Sequence, residues 1–138
     1  MRFEGRVKKE GRFWLVEIPA FDALTQGRSK REAYGMAKDL LETMADTPGF
    51  KVTVYPAGRG DVFEVGANRV RVLVALLLRR QRERQGLTLA EAAKRMGQRS
   101  RNAYARYEQG KTMPTVEKLD QLLKVIAPDQ TIVWRLAA

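Results

Sequence analysis

The run from Leu87 to Ile126, LTLAEAAKRMGQRSRNAYARYEQGKTMPTVEKLDQLLKVI, constrains this chain more than any other stretch. Thr88-Leu89-Ala90-Glu91 has the S/T-x-x-E form in which a hydroxyl and a carboxylate reciprocally satisfy free backbone N–H groups at a helix start. The helix it opens stops at Gly97. A second carries Tyr104 and Tyr107 and ends near Gly110. Thr115 caps a third, whose Val116, Leu119, Leu122, Leu123 and Ile126 form the expected buried stripe before Pro128 ends it. Upstream, Asn68–Arg84 begins with alternating valines and reads as helix from Leu73, with Gly86 at the residue past its end. The point where strand gives way to helix stays open.

Short helices with brief polar breaks, and arginines gathered where the middle one begins, are the pattern of a helix-turn-helix that offers its recognition helix to the DNA major groove. Charge supports that reading. Residues 1–66 carry 11 Lys/Arg against 10 Asp/Glu, whereas residues 67–138 carry 15 against 6, so most of the net charge of +10 lies in the helical half. Arg99, Arg101, Asn102 and Arg106 are the readout candidates, because arginine grips guanine and asparagine grips adenine bidentately. For each, a phosphate contact remains an equal alternative. Ser100 shares their turn, and Lys111 is expected on phosphate. Tyr104 and Tyr107, three apart on one face, belong to the core rather than to base stacking. Glu108 is expected to pair with an arginine of the preceding helix, Arg80 or Arg84.

The chain has no cysteine and no histidine. Disulfides and thiolate metal sites are excluded, as are nucleophile–histidine catalysis and histidine-ligated zinc. No metal or cofactor is expected, and the chain is read as a non-enzyme. A nuclease built on Asp22, Asp39 and Asp61 has no support in their spacing. No apolar run is long enough to span a membrane, and MRFEGRVKKE lacks a secretory core, so a cytoplasmic protein is expected, at the nucleoid when on DNA.

In the first half, Arg2–Lys8 and Arg12–Ile18 alternate like strands about Glu10-Gly11, giving a hairpin that Pro19 ends. The loop AFDALTQGR follows. Ser29-Lys30-Arg31-Glu32 is another capping box, and Ala33, Met36, Ala37, Leu40, Leu41 and Met44 define one face of a helix that stops before Thr47-Pro48-Gly49. Phe50–Tyr55 and Val62–Val65 read as further strands. The fold class is α+β: a small N-terminal sheet with one helix, then an all-α helix-turn-helix domain and a short C-terminal strand, TIVWRLA. The expected domains are 1–66 and 67–138.

The segment closing on YEQGK resembles the Xre/Cro/CI type of helix-turn-helix at Gly97, Tyr107, Glu108 and Gly110. It departs in a turn one residue longer and in Leu89, where that family commonly has a phosphate-contacting glutamine. WLVEIPAFDALTQGRSKREAYGMAKDLLETM resembles the N-terminal domain of HicB antitoxins, at Pro19, Thr25, Gln26, Gly27, Glu32, Ala33, Ala37, Lys38, Asp39 and Leu41. Pro19-Ala20-Phe21-Asp22-Ala23 departs from that family's P-D-x-P-G loop. The resemblance implies a partial RNase H-like domain that binds and occludes a HicA-type ribonuclease toxin, and a DNA-binding domain that represses the operon encoding the pair. It implies toxin contacts at Asp22, with Glu17, Glu10 and Phe21 behind it. A homodimer or dimer of dimers on operator DNA follows, held through the C-terminal strand or the N-terminal sheet. The alternative is a stand-alone regulator whose N-terminal domain senses a ligand or only dimerises.

Overall fold

Alternating side chains on the first strands decide which sheet face is covered. In the computed structural model, which describes residues 1–56, 58 and 60–137, β1 (Phe3–Glu10) and β2 (Phe13–Ile18) form the expected hairpin with Val7 opposite Val16. Both valines are fully buried while their neighbours Arg6, Lys8 and Glu17 face solvent. The segment expected as a loop instead contains a strand, β3 (Ala23–Gly27), paired to β2 along its whole length. A 3-10 turn, Pro19–Phe21, joins the two. The helix α1 (Lys30–Ala45) starts at Ser29, whose Oγ accepts the Glu32 N–H at 3.0 Å. After it, β4 (Val52–Tyr55) pairs with β5 (Val62–Ala67), which returns beside β1. The sheet is antiparallel throughout, in the order β3-β2-β1-β5-β4.

Ala33, Ala37 and Leu41 of α1 are fully buried against the sheet, but Met36, expected on that face, is 43% exposed. Gly27 fixes the approach of β3 to α1: a Cβ there would lie 2.4 Å from the Ala33 backbone nitrogen. Only glycine lets the strand end against the first turn of the helix.

The open boundary resolves at Asn68. Its side chain accepts from the Lys51 N–H and donates to the Gly49 carbonyl, closing β5, and α2 (Val70–Arg84) begins two residues later. Leu73 through Leu78 are all buried, so α2 is surrounded on every side, as a central helix must be. The sheet and 3-10 turn pack on part of it, and α3 (Leu89–Arg95), α4 (Asn102–Glu108) and α5 (Val116–Ile126) form the helical half around the rest. Phe21, Phe63 and Val65 of the sheet half share one continuous core with Leu73, Tyr104, Leu122 and Ile126.

Two expectations about the last elements are corrected. Val116 is 66% exposed, because it is the first residue of α5 and its direction misses the core. The tail from Thr131 forms no strand among the described residues. Both edges of β1 are taken, by β2 and β5, so no partner edge is offered nearby. The tail instead lies extended along β1 and α2, with Ile132 against the core, Arg135 3.3 Å from Glu64, and Val133 and Leu136 exposed.

Candidate nucleic-acid interface

Helix ends set this site. Thr88 Oγ1 accepts the Glu91 N–H at 3.1 Å while Glu91 accepts the Thr88 N–H at 3.4 Å, so both halves of the capping box at α3 are formed. Leu89, in the position of the family's glutamine, packs against the core. At the other end Gly97 has φ +76°, with its own N–H bonded to the Lys94 carbonyl and the Gln98 N–H to the Ala93 carbonyl, each at 2.9 Å. This left-handed stop closes the helix and turns the chain sharply toward α4.

The segment entering α4 carries the cations. Arg99, Ser100, Arg101 and Asn102 are all exposed, and Ser100 Oγ accepts the Asn102 N–H at 3.2 Å. Ser100 therefore organises the turn as well as lining it. Within α4, Tyr104, Ala105 and Tyr107 are buried, which leaves Asn102, Arg106 and Gln109 as an outward row at helical spacing. Sequence reasoning passed over Gln109; its signal was its place seven residues after Asn102. Lys111 follows, exposed, in the turn beyond Gly110.

What holds this surface is buried behind it. Glu108 takes both arms of one guanidinium, Arg82 Nε at 2.6 Å and Nη2 at 3.1 Å, and also accepts the Tyr104 hydroxyl at 2.8 Å. The partner is Arg82, not Arg80 or Arg84 as expected, because Arg82 is the α2 arginine turned toward α4. Burial works against the charge on Arg82, but its hydrogen bond and attraction to Glu108 outweigh that and leave the guanidinium held even more firmly charged. Burial first, and then the neighbouring Glu108 carboxylate, push the Tyr104 hydroxyl far above the ordinary phenol value. A third Arg82 nitrogen, Nη1, donates to the Leu87 carbonyl at 2.6 Å, so one arginine joins α2, the turn before α3, and α4.

The residues expected to meet a protein partner do not cluster. Glu10 lies beside the turn of the hairpin opposite Phe13, and Glu17 lies on the uncovered sheet face opposite Arg6 and Leu24. Asp22 sits at the far end, with φ +46°, closing the 3-10 turn. Its carbonyl accepts from Arg80 Nη2 at 3.0 Å and its carboxylate is 3.7 Å from the same group. Phe21 is corrected: it is fully buried, edge-on to Phe3 at 5.0 Å, and offers no surface. Among the described residues no three His, Cys, Asp or Glu side chains are grouped as metal ligands, and Asp22, Asp39 and Asp61 stay apart. No described helix is long and apolar enough to cross a membrane.

Geometry of this kind defines a class: a capped helix, a glycine turn, and a short second helix with a buried aromatic face and a cationic outer one. Residues 73–131 match the family model described as a helix-turn-helix domain. Residues 73–131 thus form a helix-turn-helix domain, which supports a DNA-binding regulator, and the N-terminal sheet lies outside the matched part. No curated protein matches it.

Proposed function

We propose that this chain is a HicB-type antitoxin: its sheet half binds and occludes a HicA-type ribonuclease toxin, and its helix-turn-helix represses the operon that encodes both. The observation carrying this reading is the T-Q-G segment, Thr25–Gly27, which ends β3 directly against the first turn of α1 through Gly27. That strand–helix junction is the part of the chain that resembles HicB, and it is joined here to a DNA-binding domain.

The uncovered sheet face suits a protein partner. Leu24 is 70% exposed and Val62 44%, and with Leu15 they border a shallow groove lined also by Arg6, Lys8 and Glu17. An apolar patch rimmed by charge is the usual mark of an interaction site. Glu17 is its carboxylate for a basic toxin, ahead of Glu10 and of Asp22. In this reading the chain is no enzyme, needs no cofactor, works in the cytoplasm at the nucleoid, and binds its operator as a homodimer or dimer of dimers.

Co-expression with the small open reading frame beside its gene tests the proposal. A neighbour that is toxic alone, silenced by this chain, and retained on it during purification supports the reading. Leu24→Arg or Glu17→Arg should then release the toxin without weakening DNA binding. A harmless or unbound neighbour overturns it and leaves a stand-alone regulator.

A further inference from the structure

The matched helix-turn-helix begins at residue 73, which leaves the first turn of α2 outside it. Two exposed arginines stand there. Arg71 Nη1 reaches the Lys111 carbonyl at 3.5 Å, so it lies against the turn by which the chain leaves α4. Arg69 Nη1 donates to the Pro48 carbonyl at 3.3 Å. Each guanidinium has five N–H donors, and a single bond to a carbonyl leaves most of them free. Neither arginine makes an ion pair with a described residue.

Between them opens a cleft of about 430 Å³, lined also by Arg79, Gln109 and Gly110. Its sole carboxylate, Glu108, is already matched by Arg82 and Tyr104 and is only 6% exposed. Arg79 also lines it, but this guanidinium is engaged within the chain, donating to the Met44 carbonyl and lying with Nε 3.9 Å from a Glu83 carboxylate oxygen. Arg69 and Arg71 therefore make the cleft positive, with planar donors suited to a phosphate. It borders Gln109, the last residue of the outward row on α4.

We infer that the DNA-contacting surface continues past the helix-turn-helix onto the start of α2, where Arg69 and Arg71, with Lys111, hold a backbone phosphate of the duplex beside the reading turn. This rests on the DNA-binding reading of α3 and α4. The ligand is duplex DNA rather than a free anion, because the cleft borders Gln109, on the same outward row as Asn102 and Arg106, so a duplex held by that row lies beside it.

The test is the salt dependence of binding to a labelled random-sequence duplex of about 30 base pairs, followed by fluorescence anisotropy. Such binding is carried by phosphate contacts, each contributing about 0.9 to the slope of log K against log salt. Arg69→Gln/Arg71→Gln should lower that slope by about 0.9, the contribution of one phosphate, and Arg69→Lys/Arg71→Lys should keep it. Arg12→Gln/Arg31→Gln removes the same charge from the sheet half and should leave the slope unchanged. Thermal melts check that each variant is folded.

If the Gln pair keeps the full slope while Arg101→Ala weakens binding, the extension is wrong and the helix-turn-helix reading stands. If the control pair lowers the slope equally, net charge explains the effect and the extension also fails. Were inorganic phosphate to raise the melting temperature of the native chain but not of the Gln pair, the cleft would be a free-anion site, against the proposal. Salt-independent binding by the native chain would overturn both readings.

Discussion

The last two turns of helix α2 and the turn entering α4 are both rich in arginine, and they use it in opposite ways. On α2, Arg82 bonds Glu108 and the Leu87 carbonyl, Arg80 bonds the Phe21 and Asp22 carbonyls, and Arg84 bonds both oxygens of Asp129. At the turn, Arg99, Arg101 and Arg106 are exposed and make neither hydrogen bonds nor ion pairs through their side chains with any described residue. One set holds the sheet, the 3-10 turn and the helical half together; the other is left for an external polyanion. A count of positive charge does not separate the two, whereas the presence or absence of an internal acceptor does.

The contrast is broken most severely at Glu108. Replacing it with Ala strands the Arg82 guanidinium, only 12% exposed, without its counter-charge. Breaking such a buried pair from one side costs about 3–5 kcal/mol, and urea denaturation should show a loss of that order. Arg101→Ala should leave the urea midpoint where it is.

A smaller loss is expected at Gln81, 3% exposed, whose Nε2 donates to the Pro19 carbonyl at 3.1 Å and the Ala20 carbonyl at 2.8 Å. Gln81→Leu leaves the Ala20 carbonyl without this donor at the joint between the halves, while the Pro19 carbonyl keeps the Asp22 N–H. It should cost about 1–3 kcal/mol in the same assay.

Smaller again is an effect of pH in the sheet half. Glu42 is held below the ordinary glutamate value, chiefly by the Lys38 Nζ that donates to it at 2.7 Å and then by the Val52 N–H at 2.9 Å, against a contribution from burial that raises it. Because the folded chain holds this proton less tightly than the unfolded one, the stabilisation is complete above the unfolded value of about 4.3 and is lost as pH falls through the folded value. Glu42→Gln should therefore lose less stability than the native chain between pH 7 and about pH 3.5, as read by urea midpoints.

The elements most legible in the sequence were those whose signal is local. Ser29, Thr88 and Thr115 each accept the N–H three residues on, as their spacing foretold, because a cap needs no information from beyond one turn. The antiparallel hairpin, α1 and the buried faces of α4 followed from periodicity in the same way. The strand β3 was missed because ALTQG shows little alternation: Ala23 points inward and Leu24 outward, and what makes it a strand is pairing with β2. The tail erred in the opposite direction, since TIVWRLA alternates well but runs beside β1, both of whose edges are already paired, and not beside the edge strands β3 and β4. Phe21 and the partner of Glu108 were misjudged for a shared reason. Both depend on how α2 lies against distant segments, which no local pattern reports.

Arg101→Ala, assayed on purified protein by both urea denaturation and anisotropy with duplex DNA from upstream of its own gene, tests the division between holding and reading arginines most directly. The account predicts an unchanged urea midpoint and an affinity weaker by about 1–3 kcal/mol, roughly 5- to 150-fold. Loss of stability with this substitution, or unaltered affinity in a folded variant, would contradict it.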